Sequence, residues 1–220
     1  MNHQTISRLH PSAFLLAVQI SSLFLYAAFE GSASGRVIIN IVGVIVLALA
    51  IWVVNRSPAA NWIAWTFASL AFILTLLSEL TSNSSLKIAA SVIEAIFYFY
   101  TASSLIAYML DDTQVTIDEM FAAGATFTLL AWGFAYLYLA CQILFPNSFI
   151  YGSDQALSFL ELLFLSFSNL SATGLSDILP VTSFARVLVM LEQFAGVAYI
   201  AVVVSRLVGL TILRHEHKQH

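Results

Sequence analysis

The sequence predicts an all-α integral membrane protein with six transmembrane helices and a re-entrant helix between the fifth and the sixth. Three observations lead to this class. Of 220 residues, 60% are apolar and 9% are charged, whereas a soluble domain carries about 25% charged residues. That leaves too little polar surface to coat a globule of this size, and the mean hydropathy of +0.90 agrees. Six apolar runs come close to the ~20 residues that a helix needs to cross ~30 Å of hydrocarbon. A further apolar run is too short to cross and too apolar for a solvated loop.

The six runs cover roughly 12–29, 37–54, 62–77, 88–110, 120–145 and 184–213. The first is longer than the apolar core of a leader peptide, lacks an A-x-A-like cleavage site and runs into Glu30-Gly31, so it reads as a span. A turn from Gly31 to Arg36 follows it. Asn55-Arg56-Ser57-Pro58 ends the second span and starts the third, proline being tolerated in a first helical turn. Ser82-Asn83-Ser84-Ser85 reads as a polar, flexible separator, and Asp111, Asp112, Asp118 and Glu119 form an acidic cluster before the fifth span. The last two spans exceed the bilayer and should tilt or project beyond it. Trp62 and Trp65 read as interfacial anchors, and Gly124 and Gly133 as helix-packing positions.

An even number of spans leaves both termini on one side. That side carries Arg8, Arg56, Arg206, Arg214 and Lys218, the other Arg36, Lys87 and Arg186, which places both termini in the cytoplasm. Eight scattered Lys and Arg with a net charge of −4 exclude nucleic-acid binding. The single cysteine, Cys141, excludes a disulfide framework and reads as a buried small hydrophobe. The histidines lie in the two tails, so no metal site is expected, and no grouping of nucleophile, base and acid suggests an enzyme. The short tail after Leu213 leaves no room for a soluble ligand-binding domain, and none is expected. Voltage sensing needs a row of basic residues, each contributing about 2.3 kcal/mol per 100 mV. The fourth span has only Lys87 at its edge and Glu94 inside, so steep voltage dependence is not expected. Glu94 is a functional candidate by default. The preferred reading is a carboxyl hydrogen-bonded to Ser or Tyr near the interface.

Between the last two spans lies 146–183, and within it the apolar stretch 156–167 has the length of a re-entrant half-helix. Ser166-Phe167-Ser168-Asn169-Leu170-Ser171-Ala172-Thr173-Gly174-Leu175-Ser176-Asp177-Ile178-Leu179-Pro180 overlaps its end and continues beyond it. Irregular backbone at membrane depth is tolerated only where protein buries it or where it lines a water-filled path. The stretch resembles the pore loop of the tetrameric potassium-channel-like family, S-F-x-T-x-T-T-V-G-Y-G-D-I-x-P. The resemblance continues along the inner helix through Thr182, Ala185-Arg186, Leu191-Glu192, Gly196, Tyr199, Ala201 and Arg206-Leu207-Val208-Gly209. Upstream, Trp132, Tyr136-Leu137-Tyr138 and Pro146-Asn147-Ser148-Phe149 resemble the outer helix and turret of small bacterial members. The resemblance begins at Ile117; the earlier spans match in number and length alone.

It implies a voltage-gated-like tetrameric cation channel architecture. A sensor-like four-helix domain without sensor arginines would occupy 1–112, a pore domain 113–214 and a cytoplasmic tail 215–220. It also implies a homotetramer in the bacterial inner (plasma) membrane, with K+ and/or Na+ on the pore axis and no other cofactor. Ser171, Ala172, Thr173, Gly174, Leu175 and Ser176 stand at the selectivity filter, Asp177 at the outer mouth, Glu192 behind the filter as support, and Gly196 at a gating hinge or a close helix contact.

A helix C-terminus contributes about half a negative charge, and backbone carbonyls beyond it can replace water around a cation. Gly174 can take the positive φ that aims such carbonyls. The family's T-V-G-Y-G reads Ala172-Thr173-Gly174-Leu175-Ser176 here. Ser176 replaces a glycine and is expected to bear a positive φ at a cost of about 1 kcal/mol. Leu175 replaces a hydrogen-bonding tyrosine. The outer carbonyl ring is therefore weakened, and relaxed or unusual monovalent selectivity is expected. Single-glycine loops of this kind are similar to those of bacterial potassium-uptake transporters, so one glycine is compatible with cation handling. A potassium-selective channel, a non-conducting scaffold or sensor, and a cation transporter stay open as alternatives, although the internal repeats usual in a transporter are not seen. Arg206 reads as an interfacial anchor.

Overall fold

The computed structural model describes residues 11–29, 43, 45–52, 61–111, 116–152 and 156–216. Its helices are α1 (Pro11–Phe29), α2 (45–52), α3 (Asn61–Thr81), α4 (Ser84–Asp111), α5 (Ile117–Leu144), α6 (Phe159–Leu170) and α7 (Ser183–Glu216). Two short strands, β1 (Phe149–Ile150) and β2 (Leu179–Pro180), pair antiparallel. Among the described residues, five helical segments are long and apolar enough to cross a membrane: Pro11–Phe29, Trp62–Thr81, Ser84–Leu110, Ile117–Leu144 and Ser183–Val203. The second expected span is described only at 43 and 45–52, all helical. Its remainder, the Gly31 to Arg36 turn, the Asn55 to Pro58 junction, Asp112, and the basic and histidine residues of both tails lie outside the described residues or side chains.

Helix α5 is the centre of the molecule, and α1, α4, α6 and α7 all pack on it. Small residues make this possible. A Cβ on Gly124 would meet Leu16 of α1, and one on Gly133 would meet Phe99 of α4, each at 2.9 Å. Both glycines therefore let a neighbouring helix approach, as the sequence suggests. On α1, the buried residues Leu15, Gln19, Ser22 and Tyr26 form a stripe spaced by three and four positions, which faces α5.

Side-chain contacts give the directions. Ser12 donates to Asp118 at 3.0 Å, and Thr128 donates to Gln19 at 2.7 Å, so α1 runs parallel to α5. Tyr108 reaches Asp118 while Tyr98 stacks on Tyr136, so α4 runs antiparallel to α5. The turn between α3 and α4 is two residues, Ser82 and Asn83, rather than a flexible four-residue separator. Ser82 adopts φ +50°, and the Asn83 side chain accepts the Ser85 N–H at 2.9 Å, starting α4 at once. Trp62 and Trp65 lie exposed near the start of α3. At 28 and 34 residues, α5 and α7 are about 42 and 51 Å long, well beyond the ~30 Å of hydrocarbon.

Candidate functional site

The segment between α5 and α7 folds back on itself. The β1–β2 ribbon pairs Phe149 with Pro180 and Ile150 with Leu179, tying the stretch before α6 to the stretch after the loop. Ser148, fully buried, holds this corner. It donates to the Phe145 carbonyl at 2.6 Å and accepts from Thr182 at 3.1 Å, and its own carbonyl accepts the Val181 N–H. Thr182 in turn caps α7 by accepting the Ala185 N–H at 3.3 Å.

Helix α6 has 12 residues, about 18 Å, so it cannot cross a bilayer. It begins at Phe159 rather than at Ala156, for two reasons. The Gln142 amide clamps the Leu157 backbone, donating to its carbonyl at 2.9 Å and accepting its N–H at 3.0 Å. Ser158 and Glu161 then form a reciprocal capping box. The S-x-x-E spacing is visible in the sequence; the Gln142 partnership is not.

The loop after α6 closes its C-terminus. Ser171 is the cap residue, Ala172 takes φ +56°, and the N–H groups of Ala172 and Thr173 return to the Asn169 and Ser168 carbonyls. This is the Schellman pattern, with alanine where glycine is usual. The Ser168 carbonyl also accepts from the Gly174 N–H and from the Ser171 and Thr173 hydroxyls, each at 3.2 Å. Ala172, Thr173, Gly174 and Leu175 are exposed, Leu175 at 78%. Gly174 adopts φ +64°, as the sequence requires of it.

Ser176 departs from expectation. It has no positive φ; instead its hydroxyl accepts the Ile178 N–H at 3.1 Å. A serine that bonds the backbone two residues on stabilises a turn without left-handed strain. Ile178 then buries its side chain, and Asp177 stays exposed beside it.

Behind the loop, Glu192 of α7 is fully buried and accepts a hydrogen bond from the Tyr138 hydroxyl of α5; its other oxygen meets the Ser166 hydroxyl of α6. Ser166 also lies 2.8 Å from the Ala131 carbonyl. One carboxyl thus joins three helices at the base of the loop. Sequence reading picks out Glu192 but not Ser166 as its partner, and places Tyr138 only on the outer helix. Gly196 lies against the Leu170 backbone carbonyl, where a Cβ would collide. The close approach accounts for a glycine here, and α7 runs through it as unbroken helix. Trp132 and Phe127 pack on Phe167, and Phe127 on Tyr199, filling the space between α5, α6 and α7.

At the far end, Arg206 of α7 pairs with Glu119 of α5 at 2.8 Å, the two side chains being 12% and 2% exposed. Arg206 is therefore not a free interfacial anchor. Its partner is 87 residues away in sequence, and no local spacing signals the pair. Among the described residues no cluster of three or more His, Cys, Asp or Glu could hold a metal ion.

This arrangement combines an apolar helix too short to cross a bilayer, an exposed loop beyond it and a carboxyl-linked scaffold behind it. Residues 115–212, the same segment, match the family described as Ion channel. No curated protein and no solved structure matches the chain. Over 115–212, just under half of the 220 residues, the chain is similar to that ion channel family, which supports a potassium-channel-like protein.

Proposed function

We propose that four copies of the chain assemble around an axis lined by Ser171, Ala172, Thr173, Gly174, Leu175 and Ser176 and conduct monovalent cations. The observation that carries this reading is the exposure of Ala172 to Leu175 on a loop otherwise fastened at every side. A single loop provides one part of a ring, and its exposed face is what further copies would complete. Asp177 at the mouth would raise the local cation concentration, and Glu192 would hold the filter from behind. With Leu175 and Ser176 in place of a bracing tyrosine and a second glycine, discrimination of K+ from Na+ would be relaxed.

Six spans suit the helix directions. α1 and α3 both run antiparallel to α4, as the Phe67–Tyr100 and Thr75–Glu94 contacts indicate for α3. The chain from the end of α1 to the start of α3 then has to return across the layer. The start of α1 and Arg206 of α7 both meet the first turn of α5, through Asp118 and Glu119. These contacts support both termini on one side, and the balance of basic residues favours the cytoplasmic side of what would be a bacterial inner membrane. The first four spans carry no sensor row, so opening would be insensitive to voltage; transport, not enzymatic chemistry, is the task.

Reconstitution of the full chain into planar bilayers tests this. The expected result is a cation current with a K+/Na+ permeability ratio below about tenfold, a conductance that varies little with voltage, and loss of current in Gly174→Val. A steep ratio would make the pore potassium-selective. The absence of any cation current, with the protein folded and tetrameric, would refute conduction and favour a scaffold or sensor.

A further inference from the structure

A cavity of about 310 Å³ lies outside the pore loop, walled by α1, by α2 with Gly43, by α3, α4 and α5, and by the first residue of α6. Its residues run from the middle of these helices, at Phe72 and Tyr98, to one end. Tyr26 is near the end of α1, Glu79 near the end of α3, Lys87 near the start of α4, and Tyr136 near the end of α5. Phe159, which opens α6, is part of the same wall. The cavity therefore sits in the half of the molecule in which α6 starts.

Glu94 is its deepest charged group, 8% exposed. One carboxyl oxygen accepts from Thr75 at 2.7 Å, and the Tyr136 side chain lies beside the same carboxyl. The second oxygen is buried with no hydrogen-bond partner. An unpartnered buried carboxyl oxygen costs on the order of 1–3 kcal/mol, and the residue that carries it lines the cavity. Among the described residues no ion pair joins Lys87 to Glu79 or to Glu94.

The chemistry of the walls selects the occupant. Two carboxylates against one ammonium disfavour an anion. A purely apolar ligand would leave the Glu94 oxygen as it is. A hard metal ion takes six or more oxygen ligands, and the cavity offers two carboxylates in mostly apolar surroundings. Tyr26, Tyr136 and Phe159 line the space as one packed aromatic group, with ring centroids 4.7 Å apart for Tyr136 and Phe159 and 5.6 Å for Tyr26 and Phe159. Rings around a carboxylate form the cage that recognises alkylammonium groups.

We propose that this cavity binds an organic ammonium ion, its charge facing Glu94 and its methyl or methylene groups against the rings of Tyr26, Tyr136 and Phe159. The same chemistry serves a free amine and the choline headgroup of a lipid. Because Phe159 opens the pore helix, occupancy would bear directly on the placement of α6. Binding does not depend on the conduction reading and can be measured without it.

The test is calorimetric titration of tetramethylammonium into the full chain in nanodiscs of phosphatidylglycerol, which contain no amine. The expected result is saturable binding, weakened at least about tenfold in Glu94→Gln and several-fold in Tyr26→Leu, but unchanged in Ile117→Ala at the exposed start of α5. Thermal unfolding without ligand identifies any variant that fails to fold. No saturable binding by the wild-type protein would overturn the proposal. So would equal binding by a folded Glu94→Gln, or loss in Ile117→Ala alone. Repetition in phosphatidylcholine nanodiscs separates the sources. A weakened apparent affinity means that the lipid headgroup occupies the site, and an unchanged one means that a free amine does; either supports the site.

Discussion

A β-carbon at φ +56° crowds the following carbonyl oxygen, so Ala172 holds on the order of 1 kcal/mol of backbone strain. Replacement by glycine removes that strain and adds unfolded-state freedom of similar size. Ala172→Gly should therefore leave the thermal unfolding midpoint in detergent unchanged or slightly raised, whereas Gly174→Ala, at φ +64°, should lower stability by about 1 kcal/mol. Gly174 was recognisable from the filter pattern alone. Ala172 was not, because its conformation follows from how the loop caps α6, and Ser176 escapes strain by bonding to Ile178. Glu192 gives a second test. Glu192→Ala strands the Tyr138 hydroxyl and removes a partner of Ser166, and should cost about 2–4 kcal/mol. Tyr138→Phe removes a single bond and should cost less, about 1–2 kcal/mol. Denaturation of the purified protein followed by circular dichroism ranks the two; equal effects would mean that the carboxyl is held by something other than these hydroxyls.

Helix α6 owes its place to contacts with α5 and α7, and Gly196 controls the second of these. A methyl group there would press on the Leu170 carbonyl, which is backbone and cannot swing aside. Gly196→Ala should thus lower the unfolding midpoint and disturb the loop together. A variant with an unchanged midpoint but altered opening would instead assign Gly196 to a hinge. The existence of α6 was legible, because an apolar run of about a dozen residues between two spans has no other comfortable place. Its boundaries were not. Ser158 and Glu161 carry a local signal, but Leu157 is kept extended by Gln142, 15 residues earlier, and side-chain amides announce no partner. The α3–α4 turn shows the same division: four polar residues mark a break, but only φ +50° at Ser82 reveals how tight it is.

Across the molecule, α5 collects the other helices, and its first turn joins both ends of the chain. Asp118 meets Ser12 of α1, and Glu119 meets Arg206 of α7. Removal of either member of the Arg206–Glu119 pair breaks a largely buried ion pair, so each single change to Gln or Met should cost about 3 kcal/mol or more. A double-mutant cycle on thermal stability should show a coupling of about 1–3 kcal/mol, and additive effects would deny the pair. The membrane class and, among the described residues, the positions of five spans were legible from the lack of charge and the apolar runs. The neighbourhood of the helices was not: Ser12 and Asp118 are 106 residues apart, and hydrophobicity that surrounds α5 on all sides marks no preferred face. One feature reaches beyond the single chain. The ribbon, the Gln142 clamp, the capping box, the loop closure and the Glu192 link are all made within one polypeptide. For the assembly we propose, each protomer would bring a finished loop, and oligomerisation would be a collision of preformed parts. Its rate should then rise with protomer density in the bilayer, with no slower unimolecular ordering step behind it.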